Sequence, residues 1–293
     1  MIQIEHLTKT FGRSTAVDDL SLTLAAGESV ALWGENGAGK TTIIRCVLGL
    51  LRYRGQIRIA GLDACRQGKR ARQLIGYVPQ ELGFYDDLRV QEAVRFFGKL
   101  KGLRVNDVDG ALSRVGLTGH GSKRIRELSG GMKQRLALAI ALLGEPRILI
   151  LDEVTASLDA CGRREFVALL ASLARTAQHA MLFASHRVEE IEALATRVVT
   201  LERGRMTADL PADRFVRRST GRTMLHVYLD DRRILDALAL LDSSGFDARR
   251  NGRGIFVADD PARRADALHQ LALADIRVDD FEIVPARDSK EEQ

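Results

Sequence analysis

The chain has 293 residues, 45% of them apolar and 28% charged, a globular composition that excludes a mostly disordered polymer. Lys and Arg exceed Asp and Glu by a formal charge of only +5, with both signs interleaved; a pI near 9.3 at so small a net charge is a weak hint of an anionic partner, and no nucleic-acid partner is expected. Three cysteines, Cys46, Cys65 and Cys161, stand too far apart for a metal knuckle or a redox pair, and reduced thiols are expected.

The opening Met-Ile-Gln-Ile-Glu-His has neither the basic nor the apolar region of a secretory leader. The longest apolar run, residues 136–143, falls well short of the roughly 18–20 residues that cross a bilayer. A soluble, cytoplasmic chain is expected, with any membrane work done by a partner. Ile-, Leu- and Val-rich runs over 2–8 and 20–33 read as strands. The second ends at Leu32-Trp33 and leads into Gly34-Glu35-Asn36-Gly37-Ala38-Gly39-Lys40-Thr41-Thr42, followed by a helical pattern over 41–51. A hairpin-like pair over 54–61 and a strand at 75–78 come next. Residues 90–101 and 107–115 carry helix-period apolar positions. A helix over 131–143 precedes Ile148-Leu149-Ile150-Leu151, an unbroken run typical of a buried parallel strand. Helix 161–175, strand 180–184, helix 187–195 and strand 198–201 complete an α/β pattern ending near 210. One sheet with packed helices and a helical insertion at about 84–130 is expected.

Residues 214–222 hold Arg214, Arg217, Arg218 and Arg222 beside Ser and Gly and read as a linker between a domain over 1–213 and a smaller one over 223–285, with a tail over 286–293. The smaller domain reads β-α-β-β-α-β, the split-βαβ or ferredoxin-like plan. Its helix over 231–243 is expected to set Ile234, Leu235, Leu238 and Leu241 on one face. Asn251-Gly252 marks a hairpin turn, and Asp260-Pro261 opens the second helix. Met224, His226, Tyr228 and Phe256 alternate with Leu225, Val227, Leu229, Ile255 and Val257, so they are expected to form a second sheet face, used in self-association in preference to the alternative of a small-ligand site.

Gly34-x4-Gly39-Lys40-Thr41 matches the phosphate-binding loop in full, between a strand and a helix as the chemistry requires. Backbone N–H groups turn around the phosphates at a helix N-terminus. Lys40 is then expected to reach the β- and γ-phosphates, and the Thr41 hydroxyl to ligate Mg²⁺. Asp152, ending the apolar strand, is placed to hold the ion through its water shell. Glu153 projects one residue further, where it can orient the attacking water or take its proton.

Leu128-Ser129-Gly130-Gly131-Met132-Lys133-Gln134-Arg135 resembles the signature loop and helix of ABC-type ATPases. The remaining family motifs stand in order: Phe11 is similar to the aromatic that stacks on adenine, Gln80 to the glutamine-loop residue, Ser157-Leu158-Asp159 to the D-loop, and Ser185-His186 to the switch histidine. The resemblance covers residues 1–210 and departs at Val154, where the family usually has a proline that stiffens the turn. It implies an α/β P-loop ATPase fold that binds ATP and Mg²⁺. Phe11, Gly34, Glu35, Asn36, Gly37, Ala38, Gly39, Lys40, Thr41, Thr42, Ser129, Gly130, Gly131 and Asp159 would then hold the nucleotide, Thr41, Gln80 and Asp152 the metal, and Glu153, His186 and Gln80 the catalytic step.

The family resemblance also implies a head-to-tail pair of chains, with Ser129 and Gly131 of one facing the γ-phosphate of the other. A separately encoded membrane permease would hold the pair at the inner face of the membrane. The short spacing from Gln80 to Ser129 leaves no room for the coiled coil of DNA-acting relatives, so a transporter subunit is expected over a soluble, non-transport ABC protein. Tyr77-Val78-Pro79-Gln80-Glu81, with the Phe84-Tyr85 and Phe96-Phe97 segments, resembles ATPases of multidrug, haem and copper-related ABC-2 systems. The whole chain, including Leu32-Trp33-Gly34, Glu145-Pro146 and the small C-terminal domain, is most similar to the ATPases of copper-processing transporters that serve nitrous oxide reductase maturation. Methionine-type importer ATPases with a ligand-sensing C-terminal domain, and drug-exporter ATPases, are the alternatives.

Overall fold

Two kinds of strand pattern occur in the first 211 residues, and each makes its own sheet. The computed structural model describes residues 1–176, 178–220, 223–252, 254–258 and 263–285. In it, β1 (Ile2–Phe11) and β2 (Ser14–Leu24) alternate buried and exposed residues and pair antiparallel from Ile2↔Leu24 to Phe11↔Ser14. The single strand expected over 20–33 is interrupted. The chain turns through Ala25–Glu28, where the Glu28 carboxylate accepts the Ala25 N–H at 2.7 Å and pairs with Arg197, also at 2.7 Å. It resumes as β3 (Ser29–Trp33) in a different sheet.

After α1 (Lys40–Val47), β4 (Arg54–Ile59) and β5 (Leu62–Asp63) complete a four-stranded antiparallel sheet in the order β2-β1-β4-β5. Then come α2 (Gly68–Gln73), β6 (Ile75–Val78), α3 (Val90–Leu100), α4 (Val108–Ser113), α5 (Gly130–Leu142) and β7 (Ile148–Asp152). α6 (Ala160–Arg175), β8 (Ala180–Ser185), α7 (Val188–Leu194), β9 (Arg197–Glu202) and β10 (Arg205–Pro211) follow. The second sheet runs β10-β9-β3-β8-β7-β6, with β10 antiparallel at its edge. The expectation of one sheet is thus corrected. β7 and β8 are buried at every position, as parallel strands covered on both faces must be, whereas β1 and β2 bury alternate positions. α1 joins the two sheets by burying Ile43, Ile44, Cys46 and Val47 in one cluster with Ile4, Leu20, Ile150 and Leu182. Burial pushes the Cys46 thiol up to about 11, which suits a packing residue.

The chain divides into two compact units, Met1–Phe215 and Val216–Gln293. Residues 214–220, read as linker, belong instead to α8 (Ala212–Thr220). Phe215 anchors that helix: it is 6% exposed, and its ring meets Trp33 edge-on at 5.0 Å. Trp33 is the only tryptophan of the chain, so its emission reports this contact. Phe215→Ala is expected to cost about 3–5 kcal/mol of stability, read as a lower urea midpoint of Trp33 emission.

The second unit contains β11 (Thr223–Tyr228), α9 (Ile234–Ser243), β12 (Asp247–Asn251), β13 (Gly254–Ala258), α10 (Arg264–Leu273) and β14 (Asp280–Pro285). Its strands form an antiparallel sheet in the order β12-β13-β11-β14. Leu225, Val227, Leu229, Ile255 and Val257 enter its core with Ile234, Ala237 and Leu241 of α9. Leu235, expected on that face, is 72% exposed, because one residue is about 100° of helix away from Ile234. Met224 and His226 are also buried, so the alternate face is less open than the alternation implied; the His226 ring lies 4.1 Å from Tyr228 and 4.5 Å from Phe256. The helix opening at Asp260-Pro261 and the tail over 286–293 lie outside the described residues. No helix among the described residues is long and apolar enough to cross a membrane.

Candidate functional site

Parallel strands deliver their following loops to one sheet end, and here four such strands are neighbours. Trp33 at the end of β3 aligns with Ser185 at the end of β8, Asp152 of β7 with Ala184, and Val78 of β6 with Leu151. The loop after β3 carries Gly34 to Gly39, that after β7 carries Glu153, that after β8 His186, and that after β6 Gln80. Two glycines are required by geometry. A Cβ at Gly34 would meet the Leu201 carbonyl at 2.5 Å, and Gly39 holds φ at +104° with the Ala16 carbonyl 2.6 Å from where a Cβ would stand.

The Lys40 side chain is 4% exposed, and its ammonium donates to the carbonyls of Gly34 at 2.7 Å and Glu35 at 3.1 Å. It also pairs with the Glu153 Oε1 at 3.1 Å, so its three protons have three acceptors. The Gln80 amide donates to the other Glu153 oxygen at 3.4 Å. Thr41 Oγ1 donates to Asp152 Oδ1 at 2.9 Å, although the two stand 111 residues apart in the chain. Burial, reinforced by the neighbouring Glu153 charge, pushes the Asp152 carboxyl above the usual carboxylate range, against the Thr41 hydrogen bond that lowers it. Glu153 holds φ at +47°, a left-handed conformation costing about 1–2 kcal/mol in a residue with a side chain. Asn36, Gly37, Gly39, Lys40, Thr41, Thr42, Gln80 and Glu153 line one cavity of about 320 Å³, to which Ala16 also contributes.

Ser129, Gly130, Gly131 and Asp159 are elsewhere. They line a second cavity, of about 450 Å³, with Ser157 and Leu158, and the two cavities share no lining residue. Ser129 caps α5 by accepting the Met132 N–H at 3.3 Å, and Asp159 caps α6 by accepting the Gly162 N–H at 2.7 Å. Phe11 is 50% exposed, so it is not a core residue, and the Lys9 ammonium sits 4.5 Å from its ring centroid. His186 is exposed. Ala16 and Lys9 belong to no motif in the sequence. Lys9 was detectable: two residues before Phe11 on one strand, it shares its face.

A family model described as ABC transporter matches residues 17–156. The linearmycin resistance ATP-binding protein of Bacillus subtilis (strain 168) is 36% identical over 213 residues, 71% of this chain and 68% of that protein. The bacitracin transport ATP-binding protein of Bacillus licheniformis is 36% identical over 233 residues, 79% of this chain and 76% of that one. A solved structure described as the dimeric structure of a bacterial ABC transporter cassette superposes with a TM-score of 0.65, at 24% identity, over 72% of this chain and 99% of its own. The chain belongs to the ATP-binding subunits of ABC transporters. It is a member of a family of ATP-hydrolysing proteins.

Proposed function

We propose that this ATPase drives a separately encoded membrane-spanning subunit of the export type, and that two chains pair head to tail to complete each site. The observation carrying the chemistry is the meeting of Lys40 and Thr41, at the N-terminus of α1, with Asp152 and Glu153 at the end of β7. The names of the two relatives, linearmycin resistance and bacitracin transport, support a transport role, and that of a further relative, the Nod factor export ATP-binding protein I of Paraburkholderia xenovorans (strain LB400), supports export. Pairing is supported by the separation of Ser129 from Lys40 within one chain and by the dimeric cassette of like fold.

Backbone N–H groups of the loop and the Lys40 ammonium would take the phosphates. A phosphate oxygen on Lys40 displaces Glu153, whose carboxylate is then free to orient water or accept its proton. Thr41, Asp152 and Gln80 fit Mg²⁺: their donors are hard oxygens, and a cation beside Asp152 would offset the burial of its charge. When bound, the ion supplies charge neutralisation on the transferred phosphoryl group. Gln80 reaches Glu153 from a different loop, so its position links the water-orienting carboxylate to the segment after β6. His186 is assigned the switch beside the γ-phosphate. The Phe11 ring would stack on adenine with the face that Lys9 leaves open. Phe11→Ala is expected to raise the ATP dissociation constant by at least about tenfold, and Phe11→Tyr to preserve it, in titrations of Trp33 emission.

Beside Gln80 runs an apolar groove of about 410 Å³ lined by Tyr77, Pro79, Leu82, Phe84, Phe97 and Ile140 among others. Lys101 braces its far wall, donating to the carbonyls of Ile140, Ala141 and Leu143 at 3.0–3.2 Å and so closing the end of α5. We assign this groove to a segment of the membrane subunit, whose movement there would shift Gln80. Co-expression with a candidate membrane-spanning chain tests the proposal. A complex stable in detergent, with ATP hydrolysis altered by the partner, is the expected result; a chain that purifies alone and hydrolyses ATP indifferently to that partner would overturn it.

Residues 223–285 we read as a ferredoxin-like unit serving self-association, on the strength of its βαββαβ order and its strand order. A chain ending at Arg222 is expected to bind ATP yet dimerise more weakly without nucleotide in sedimentation; equal dimerisation constants would favour a ligand-sensing role instead. The finer resemblance to copper-processing ATPases shares every step above and differs in cargo. It rests on Leu32-Trp33-Gly34, on Glu145-Pro146 between α5 and β7, and on the small C-terminal unit. Identification of the cargo bound to the purified complex separates it from antibiotic export.

A further inference from the structure

We infer that Glu190 is a positioning residue that ties the turn carrying Glu153 to the turn carrying His186. The inference rests on the roles proposed above for those two residues. Glu190 lies on α7 and is 6% exposed. Its Oε1 accepts the hydroxyl of Thr155, two residues beyond Glu153, and its Oε2 accepts the hydroxyl of Ser185 at 2.7 Å, immediately before His186. Ser185 Oγ in turn accepts the Arg187 N–H at 3.0 Å, so His186 is bracketed by a side-chain bond on one side and a backbone bond on the other. Arg187 Nε stands 3.9 Å from Glu190 Oε1. Thr155 and Ser185 are themselves buried.

A buried carboxylate is costly unless its oxygens are occupied, and here each oxygen is spent on a different loop. The position of the tie is informative. The parallel register of β7 and β8 reaches Asp152↔Ala184, and the Glu153 N–H then donates to the Ala184 carbonyl at 3.3 Å. Beyond that point the two strands end, and the Glu190 carboxylate is the bridge that continues the connection through side chains. Glu153 stands in a left-handed conformation that its own backbone does not favour, and Val154 supplies none of the ring rigidity of a proline. A bridge from α7 to Thr155 holds that turn from outside. The water-orienting carboxylate and the switch histidine are thereby set relative to one another rather than separately.

The full-length protein tests this with Thr155→Val, which keeps the shape and removes the hydroxyl, and Thr155→Ser, which restores it. Thr155→Val is expected to lower kcat by about tenfold to a hundredfold while KM for ATP and Trp33-detected nucleotide binding stay within about twofold, and Thr155→Ser to recover most of kcat. Ser185→Ala is expected to act in the same direction, and the double variant Thr155→Val/Ser185→Ala to lose less than the product of the single losses, because both act through one carboxylate. Wild-type kcat in Thr155→Val, or a kcat loss matched by an equal loss of nucleotide binding and not rescued by Thr155→Ser, would overturn the inference. Glu153→Gln serves as the control. If it retains turnover, the reading of Glu153 fails and this inference with it; if it is inactive while Thr155→Val is unaffected, the Glu190 tie alone fails.

Discussion

Glu153→Gln is expected to bind ATP normally and to lose about 10²- to 10⁴-fold in turnover, the range that a positioned general base contributes. The geometry explains why binding survives. Glu153 touches the phosphate-binding machinery through one bond, the ion pair with Lys40 at 3.1 Å, and an incoming phosphate replaces that bond. A neutral glutamine gives up the pair without opening a cavity, and it makes the phosphate's capture of Lys40 easier. Bound nucleotide that is not hydrolysed should then hold two chains together, seen as a dimer in gel filtration with ATP. Lys40→Ala is expected to behave oppositely. Its ammonium is buried among two carbonyls and a carboxylate, so truncation leaves those acceptors facing one another and removes the cation meant for the phosphates. Nucleotide affinity should fall, and turnover with it. Near-wild-type turnover in Glu153→Gln would refute the assignment of the base.

Mixing Lys40→Ala chains with Ser129→Arg chains, each inactive alone, is expected to restore ATP hydrolysis. The two residues line cavities with no common wall, so a head-to-tail pair builds each site from Lys40 of one chain and Ser129 of the other. In a mixed pair one site carries both defects and the other carries neither. Random pairing makes half the dimers mixed, so the restored rate should approach about a quarter of wild type where one intact site suffices. Arginine is chosen for Ser129 because its bulk blocks approach at the N-terminus of α5, where the serine serves as the cap. Its effect on folding is controlled by the restored activity itself. A mixture no more active than its two components would count against the shared site.

Much of this site is legible in the sequence because its chemistry is written in short, contiguous motifs. Gly34 to Thr42 needs only its own backbone and the start of a helix, and the unbroken apolar run 148–151 announces a buried parallel strand with an acidic pair at its end. Less legible were features that depend on distant neighbours. Alternating β1 and β2 and continuously buried β3 looked like parts of one sheet until pairing separated them. The arginines of 214–222 resembled a solvated linker, whereas Phe215 finds Trp33 and fixes a helix there. Glu190 carries no motif of its own; its meaning arises when α7 brings it between Thr155 and Ser185. Leu235 shows the limit of helical periodicity in a short helix, where a change of one residue moves a leucine from the core to solvent.

If a single chain holds an incomplete site, the ATP hydrolysis rate per chain must depend on protein concentration, and that rate is to be measured with sedimentation at the same concentrations. The rate is expected to rise from near zero for the monomer to a plateau as dimers saturate, with the same midpoint in both measurements. A rate per chain that is independent of concentration, in samples that sediment as monomers, would contradict it.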